Sequence, residues 1–293
     1  MSVRNLQHLF APESIALIGA SQRPGSVGQV LLNNLLGQGF AGPILPVNPN
    51  AAKIGALTAY KDVASLPITP GLAVICTPPA TVPGLIDALG RRGVKAAIVI
   101  TAGFAELGAE GRALQQQLLL AARPHLLRII GPNCVGMLIP GVNLNASFAP
   151  VNALCGKLAF VTQSGAVLTS VLDWAAPRNI GFSHMVSLGA MADVDFGDML
   201  DYLANDTDVS AVLLYVEAIT HARKFMSAAR ACARIKPVVV IKAGRHAQGA
   251  KAAIRAGVQS IEHGSLLDDE ALSMMKKRGV YLVADIYNGD YID

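Results

Sequence analysis

A glycine-rich segment near the start of the sequence has the composition of a phosphate-binding loop. Residues 19–28, GASQRPGSVG, join an apolar, strand-like segment to a stretch with helical spacing. Glycines let the backbone approach a ligand closely, and the free N–H groups at a helix N-terminus attract phosphate oxygens. We therefore predict a phosphate site here, although a tight strand-to-helix turn in any α/β protein has a similar composition. The predicted contact residues are Gly19, Ser21, Gly25, Ser26, Val27 and Gly28.

The residues at the end of the second predicted strand indicate which phosphate ligand the site would bind. A site for NAD carries an acidic residue there, roughly 20 residues after the loop, to hold the ribose hydroxyls. Residues 46–50 read PVNPN and include no acid, which argues against NAD and is compatible with coenzyme A (CoA). Val47, Asn48 and Pro49 are the candidate contacts. Lys53 just beyond them could face an anionic group such as a ribose 3′-phosphate, although a solvated surface position is the commoner case for any single lysine.

The third predicted strand ends in Thr77, Pro78 and Pro79. This is the carboxyl edge of a parallel sheet, where ligands bind in open α/β folds, and prolines there would stiffen the rim of a site. The alternative is a simple helix start, because proline is favoured at the first position of a helix.

The segments that must position these residues alternate between strand-like and helix-like patterns. Continuous apolar strands flanked by helices predict parallel sheets covered on both faces. Predicted strands of a first unit are residues 14–19, 44–47, 72–76, 97–101 and 127–130, with helices at 27–37, 82–92 and 110–123. After a predicted linker at 140–156, further strands follow at 158–162, 182–187, 211–216 and 238–242. The sequence thus predicts an α/β protein with two doubly wound parallel-sheet domains.

The composition excludes several other classes of protein. Of the 293 residues, 52% are hydrophobic and 15% are charged, which fits buried α/β sheets and argues against a disordered chain. The apolar segments are far shorter than the ~20 residues of a membrane-spanning helix, and residues 1–10 lack the apolar core of a signal peptide. Four cysteines without paired or metal-type spacing indicate a reducing cytoplasm. The net charge of +4 is scattered, so neither nucleic acid nor a membrane is an expected partner.

Ordered motifs run through roughly residues 3–251 in the pattern of one known family. Those of the first half are GAS at 19–21, GSVG at 25–28, PVNP at 46–49, TPP at 77–79, TAGFAE at 101–106 and GPNCVG at 131–136. Those of the second half are VTQSGA at 161–166, SLG at 187–189, ADVDF at 192–196 and YVE at 215–217. They resemble the ADP-forming acetyl-CoA synthetases, which are related to the α subunit of succinyl-CoA synthetase and to the N-terminal part of bacterial protein lysine acetyltransferases. The resemblance implies a Rossmann-like CoA-binding domain at residues 1–140 and a flavodoxin-like succinyl-CoA ligase-like domain at residues 150–251.

The resemblance also implies a reaction and its site. In that family an acyl phosphate forms and is converted to a CoA thioester, and a phosphohistidine carries the phosphate to ADP. Two loop-to-helix segments would direct their helix N-termini at one phosphoryl group. The expected phosphate contacts are Asn133, Cys134, Gly136, Ser164, Gly165 and Ala166. Glu217 stands at the family position of the carboxylate that orients the phosphohistidine; the alternatives are a helix N-cap for Ser164 and a solvent-facing charge for Glu217.

The sequence departs from the family where the phosphorylatable histidine is expected. Relatives carry a Ser-His-Thr-Gly type segment just after residue 253, but residues 254–258 read IRAGV. His246 is close by, yet relatives can carry a polar residue or histidine there without the phosphate-carrying role, so we do not assign that role to it. Ala190 stands where relatives commonly have asparagine, which removes one polar side chain near the expected phosphate site.

The last part of the sequence resembles a different family. Residues 254–265, IRAGVQSIEHGS, and residues 281–288, YLVADIYN, are similar to segments of metal-dependent amidohydrolases of the imidazolonepropionase and prolidase-like type. In those enzymes the histidine at the position of His263 ligates a catalytic metal. We expect no metal site, because a catalytic zinc needs about three protein ligands and His263 stands alone. We predict a join near Ala253, from a chimeric gene or an assembly artefact, with residues 252–293 as a foreign-looking tail. Alternatively the tail completes the second domain, with a strand at 258–261, a helix at 269–277 and a strand at 280–286.

These observations predict a CoA-binding fragment of an ADP-forming acyl-CoA (acetate–CoA) ligase-like protein that is not competent for ligation alone. CoA or acyl-CoA is the expected ligand, whereas ATP or ADP and Mg²⁺ would require a partner ATP-grasp subunit or domain. One alternative is a non-catalytic CoA-binding regulatory module of a protein acetyltransferase-like polypeptide; a metal-dependent amidohydrolase is a weaker one. The sequence leaves open whether the chain is an enzyme, which acyl group it takes, and whether it forms homo- or hetero-oligomers.

Overall fold

A computed structural model describes residues 3–242, 247–258, 260–262 and 267–283 of the chain. The helices are α1 (Gln7–Phe10), α2 (Val27–Gly37), α3 (Val82–Arg91), α4 (Ala109–Ala122), α5 (Gly165–Ala175), α6 (Phe196–Asn205), α7 (Ala222–Ala233), α8 (Ala247–Ala256) and α9 (Asp269–Arg278). The first nine strands are β1 (Ile15–Ile18), β2 (Ile44–Val47), β3 (Lys53–Ile54), β4 (Leu57–Thr58), β5 (Leu72–Ile75), β6 (Ala96–Val99), β7 (Arg128–Ile130), β8 (Gly136–Ile139) and β9 (Leu144–Ser147). The remaining strands are β10 (Cys155–Thr162), β11 (Phe182–Ser187), β12 (Ala211–Val216), β13 (Val238–Lys242), β14 (Ser260–Glu262) and β15 (Tyr281–Val283).

The first large sheet is parallel throughout, with the strand order β2-β1-β5-β6-β7. Its strands alternate between two buried faces. Leu17 packs in one core with Leu31 of α2, whereas Ile18 packs in the other with Ile86 of α3. Because the chain goes to opposite sides of β1 to form β2 and β5, the loops after β1 and β5 flank a crevice at the carboxyl edge, where ligands bind in doubly wound sheets.

The second large sheet has the order β13-β12-β10-β11-β8-β9, and its first four members are parallel. The chain forms β11 on one side of the central strand β10 and β12 on the other side. The loops after β10 and β12 therefore meet at the carboxyl edge of this sheet. The predicted fold class, two doubly wound α/β domains, is therefore confirmed.

The linker predicted at residues 140–156 is wrong. β8 and β9 form an antiparallel hairpin that extends the second sheet beside β11, and β10 already begins at Cys155. Gly136 shows why the hairpin pairs tightly, since a Cβ there would lie 2.1 Å from the carbonyl oxygen of Ala146. The prediction failed because the apolar pattern of a short hairpin was masked by the proline, glycine and asparagines of its turn.

The two sheets are joined by the segment that follows β11. The backbone N–H groups of Ala190, Ala192 and Val194 donate to the carbonyl oxygens of Pro132, Gly131 and Ile129, over 2.9–3.1 Å.

An ion-pair cluster reinforces this junction. The Arg128 guanidinium lies 2.9 Å from an Asp193 carboxylate oxygen and 3.1 Å from one of Asp198. Asp193 also accepts the backbone N–H of Ile129, and Lys224 pairs with both Asp195 and Asp198. Through these contacts the last strand of the first sheet is fixed against the second domain.

The described part of the tail contains regular structure close to the second domain. β14 pairs in parallel with β15, α9 lies between them in sequence, and Asp268 caps α9 by accepting the N–H of Ala271 at 2.9 Å. Lys251 of α8 forms ion pairs with Asp268 and Glu270 at 2.5 and 2.6 Å. The strand and helix positions agree with the alternative in which the tail adds elements to the second domain. None of the helices in the described ranges is both long enough and apolar enough to cross a membrane.

Candidate functional site

The first loop owes its shape to two glycines, one at the end of β1 and one at the start of α2. Gly19 has a φ of +96°, a conformation that L side chains rarely adopt. A Cβ on Gly28 would lie 2.0 Å from the carbonyl oxygen of Gly19. The helix therefore starts in direct contact with the end of the strand, and its N-terminus opens onto the carboxyl edge of the sheet.

The hydroxyl groups of the predicted loop already have partners within the loop. Ser26 is the N-cap of α2: its Oγ accepts the N–H of Gln29 at 3.4 Å and donates to the carbonyl oxygen of Arg23 at 2.7 Å. Ser21 Oγ accepts the N–H of Arg23, and Gln29 Oε1 accepts the N–H of Gly25. These contacts pre-organise the loop before any ligand arrives. Ser26 uses its hydroxyl hydrogen within the loop, whereas Ser21 Oγ only accepts there and can still donate to a ligand, as can backbone N–H groups.

The segment that follows β2 contacts the β1–α2 loop through Asn48. Asn48 Nδ2 donates to the carbonyl oxygen of Ala20 at 2.8 Å, and its Oδ1 accepts the N–H of Asn50 at 2.8 Å. Asn48 thus acts as a tether between the loop and β2. Lys53 is exposed in β3, and Gln22 of the loop donates to its carbonyl oxygen at 3.3 Å, which places the lysine backbone beside the loop.

The loop after β5 lies at the same edge. Thr101 Oγ1 donates to the carbonyl oxygen of Thr77 at 2.7 Å, and Thr81 Oγ1 donates to that of Pro78 at 2.7 Å. Pro79 opens a short 3₁₀ turn that leads into α3, so the interpretation of the prolines as a helix start applies as well.

The two segments predicted to hold phosphate face this edge, although only one of them begins a helix. Asn133 has a φ of +55° and is exposed, whereas Cys134 is buried and is followed by β8 instead of a helix. Ser164 is the N-cap of α5, with Oγ accepting the N–H of Val167 at 3.3 Å. A Cβ on Gly165 would lie 2.4 Å from Cγ2 of Val135, so the two segments pack directly on each other.

A cavity of about 540 Å³ lies where these segments meet. It combines predicted CoA contacts from the first domain with predicted phosphate contacts from the second. The predicted residues on its wall are Val27, Thr77, Pro78, Asn133, Cys134 and Gly165; the residues that line it without having been predicted as contacts are Cys76, Ile100, Thr101, Ala102, Val135 and Phe148. Thr101, Ala102 and Val135 carried a signal as parts of family motifs, but nothing in the sequence pointed to Phe148. Of the expected phosphate contacts, Gly136, Ser164 and Ala166 are not on this wall. The predicted CoA contacts that are not on it are Gly19, Ser21, Gly25, Ser26, Gly28, Val47, Asn48, Pro49, Lys53 and Pro79.

Glu217 directly follows β12 at the carboxyl edge of the second sheet but does not line the cavity of about 540 Å³. Its backbone N–H and that of Ala218 both donate to Gln163 Oε1 at 2.8 Å, and Lys242 Nζ donates to its carbonyl oxygen at 2.7 Å. The Glu217 side chain itself is exposed. Gln163 and Lys242 therefore fix the backbone of this residue while its carboxylate faces solvent.

A larger cavity, of about 870 Å³, lies elsewhere, between α1 and the start of β10. Its wall includes Phe10, His184 and Tyr202, whose rings pack together. Burial lowers the pKa of His184, against the opposing effect of the carboxylates of Asp206 and Asp208. None of the predicted site residues contributes to this cavity, so the crevice at the carboxyl edges remains the candidate site.

Two cysteines on the candidate cavity are expected to be unreactive at neutral pH. Burial raises the pKa of Cys76 to about 12 and that of Cys134 to about 12. Only the thiolate is nucleophilic, so both should react slowly, whereas Cys155 is exposed to solvent. Iodoacetamide at about pH 7.5 should therefore alkylate Cys155 well before Cys76 or Cys134. Peptide mass mapping over time measures this order, and early labelling of Cys134 would contradict the described packing.

The described residues include no group of three or more His, Cys, Asp or Glu side chains arranged to hold a metal ion. His246 and His263 both lie outside the described residues, so their predicted roles are not addressed by the structure.

Two family models match the chain. The CoA binding domain matches residues 13–140, and the succinyl-CoA ligase like flavodoxin domain matches residues 155–288. The second match extends past Ala253, the predicted position of the join. The join itself stays a prediction, which long-read sequencing of the source locus would test.

Individual relatives give the same picture. The chain is 40% identical over 253 residues to the α subunit of acetate–CoA ligase (ADP-forming) I of Pyrococcus furiosus, covering 85% of this chain and 55% of the relative. It is 41% identical over 248 residues to acetate–CoA ligase (ADP-forming) I of Archaeoglobus fulgidus, covering 85% of this chain and 36% of that protein. The chain thus spans about half or less of the length of these relatives.

A solved structure shares the architecture of both domains. The acetyl-coenzyme A synthetase 1 of Ca. Korarchaeum cryptofilum, in complex with phosphate and ADP, aligns with a TM-score of 0.82 and 37% identity. The alignment covers 96% of this chain and 60% of the other. The similarity therefore includes both sheets and not only the first domain.

Proposed function

Because this chain belongs to the family of the ADP-forming acetyl-CoA synthetases and is homologous to their CoA-binding α subunits, we propose that it binds CoA and acyl-CoA at the junction of its two domains. The proposal further assigns it the CoA-binding part of an ADP-forming acyl-CoA ligase, with ATP, ADP and Mg²⁺ bound by an ATP-grasp subunit or domain.

The observation that supports the proposal most directly is the cavity of about 540 Å³ at the carboxyl edge. It is walled by the start of α2 and the loop after β5 in the CoA-binding domain, and by Asn133 and Gly165 from the segments expected to hold phosphate. The absence of a Cβ at Gly28 and Gly19 keeps the loop close to the end of the sheet, as a pyrophosphate cradle requires. The residues present therefore fit a CoA molecule.

The proposed roles follow from the position of each group. The pyrophosphate would rest on the α2 N-terminus, whose free N–H groups and partial positive charge favour anions. The pantetheine arm would run past Thr77 and Pro78 into the cavity. A phosphoryl group or acyl phosphate would lie near the N-terminus of α5, which begins after Ser164. CoA would supply the thiol that accepts the acyl group, and the walls of the cavity would hold that thiol beside the phosphoryl or acyl phosphate group.

Isothermal titration with CoA tests the binding proposal. We expect CoA to bind, and NAD not to compete, because the end of β2 offers no carboxylate for the ribose hydroxyls. The absence of CoA binding at millimolar concentration would reject it.

Lys53 gives a sharper test of where the nucleotide lies. Replacing Lys53 by Gln should weaken CoA binding by about tenfold, because a charged hydrogen bond to the 3′-phosphate is worth about 1.5 kcal/mol. Dephospho-CoA lacks that phosphate, so its affinity should be the same for the wild-type chain and the variant.

The matched control for this comparison is Lys61→Gln, which removes an exposed lysine of the same domain. We expect it to change neither affinity. An equal loss for CoA and dephospho-CoA in the Lys53 variant would show that the lysine does not contact the 3′-phosphate.

A second candidate function is a CoA-binding module without ligase chemistry. The observation that favours it is the sequence of residues 254–258, IRAGV, where relatives carry the phosphorylatable histidine; α8 extends to Ala256 in this region. An ADP-forming thiokinase assay with an added ATP-grasp subunit separates the two functions. Thioester formation would reject the regulatory module, and lasting inactivity alongside CoA binding would reject the ligase.

A further inference from the structure

Phe148 is an aromatic side chain that the fold leaves on the wall of the candidate cavity. It follows β9, within the predicted linker at residues 140–156, and 37% of its surface is exposed. Val135, which also lines the cavity from the second domain, is buried and packs over Gly165. Phe148 is therefore the bulkiest exposed apolar group that the second domain contributes to this wall.

The backbone around Phe148 is held in place by the helix that carries the phosphate loop. Asn34 of α2 donates from Nδ2 to the carbonyl oxygens of Ser147 and Ala149, at 2.8 and 2.9 Å. The Phe148 N–H donates to the carbonyl oxygen of Val135 at 3.1 Å. Three hydrogen bonds thus fix this residue relative to both domains, although its side chain is not needed to fill a core.

The position of Phe148 on the cavity wall places it near the expected thiol end of CoA. The nucleotide end of CoA would lie on the loop of the first domain, at Gly25 and Lys53, neither of which lines the cavity. The thiol end would then lie inside the cavity, against the wall that the second domain provides. An acyl group on that thiol would meet Phe148.

We propose that Phe148, positioned by Asn34, sets the upper size of the acyl group and makes this site selective for acyl groups of few carbon atoms over aryl groups. The inference rests on the proposed CoA-binding function and names the substrate class of that site. The hydrogen bonds at Ser147, Phe148 and Ala149 fix the backbone here, so the ring of Phe148 can turn only about its own side-chain bonds and stays beside the cavity, where it takes up space that a large acyl group would need.

The experiment compares the dissociation constants of CoA, acetyl-CoA and benzoyl-CoA by isothermal titration. For the wild-type chain we expect benzoyl-CoA to bind at least about tenfold more weakly than acetyl-CoA. Phe148→Ala should reduce this ratio to within about threefold, because the removed ring leaves space for the aryl group.

Two matched pairs separate this role from a general effect on the fold. Asn34→Ala, which releases the Phe148 segment, should also lower the ratio, whereas Asn33→Ala on the exposed face of the same helix should keep it. Trp174→Ala removes another exposed aromatic ring of the second domain that does not line the cavity and should keep the ratio too.

The outcomes are distinct. A reduced ratio in Phe148→Ala or Asn34→Ala, with both controls unchanged, supports the inference. Equal binding of the two thioesters by the wild-type chain, or a ratio that survives both substitutions, overturns it while CoA binding stands. Failure of CoA itself to bind rejects the proposed function and the inference together.

Discussion

Replacing Gly28 by Ala is expected to destabilise the chain by about 1–3 kcal/mol and to weaken CoA binding at the same time. A single methyl group at this position would lie 2.0 Å from the carbonyl oxygen of Gly19 and 3.2 Å from the backbone nitrogen of Ser21. Both neighbours are backbone atoms, so the clash cannot be relieved by turning a side chain. α2 would have to move away from β1, and its N-terminus would no longer meet the loop.

Urea unfolding measures the first effect and titration with CoA measures the second. Gly37→Ala is the matched control, because Gly37 lies in the same helix and a Cβ there meets nothing within 4 Å. That variant should be as stable as the wild type, or more stable by about 0.5–1 kcal/mol, since alanine favours a helix over glycine. Gly28→Glu should weaken CoA binding further through bulk and charge. A Gly28→Ala chain with wild-type stability and affinity would show that the loop is not packed as described.

The second large effect is expected at the junction of the two domains. Arg128→Leu should cost about 3 kcal/mol, because it removes the cation that faces the Asp193 and Asp198 carboxylates in a largely buried position. Burial raises the pKa of Asp198, while hydrogen bonding to Lys224 and the charges of Arg128 and Lys224 act to lower it. Loss of Arg128 should therefore raise that pKa further.

The pH dependence of this loss follows from the sign of the shift. A carboxyl group whose pKa is higher in the folded state than in the unfolded state favours folding at low pH, and that contribution is lost as the pH rises through the folded pKa. The difference in stability between wild type and Arg128→Leu should thus shrink as the pH falls from about 7 toward about 5. Urea unfolding at several pH values gives this difference.

An exposed ion pair provides the control for this experiment. Arg91 and Asp87 lie 2.7 Å apart on α3, with the arginine side chain 74% exposed. Arg91→Leu should change stability by no more than about 0.5 kcal/mol, because solvent screens such pairs. Equal losses of stability in Arg91→Leu and Arg128→Leu would mean that the ion-pair cluster at the junction contributes no more to stability than an exposed ion pair.

Local rules account for the parts of the fold that the sequence predicted well. α2 was predicted at its observed bounds, as were β2, β11, β12 and β13, because apolar residues recur along each of these segments. Ser26 and Ser164 both cap helices, a position for which serine is strongly preferred.

Pairings between distant segments were not predictable in the same way. The turn and the second strand of the β8–β9 hairpin fall in the predicted linker, because turn residues outnumber the strand signal there and the pairing partner of β8, β11, lies about 40 residues later in the chain. Gly136 was predicted to contact phosphate but lies inside this hairpin, at a position where strand pairing requires a glycine.

The sequence by itself determined that this chain has a glycine-rich loop between its first strand and the helix that follows, a second strand without an acidic end, and two α/β units whose motifs follow one family. These features are local, because a few neighbouring residues set each loop, cap or strand. Only the tertiary structure decided which residues surround the candidate site. Asn34 meets the backbone of Ser147 across 113 residues of sequence, and Arg128 meets Asp193 across 65. Contacts of that kind depend on how two sheets pack, which no short stretch of sequence encodes, and they place Phe148 on the cavity wall.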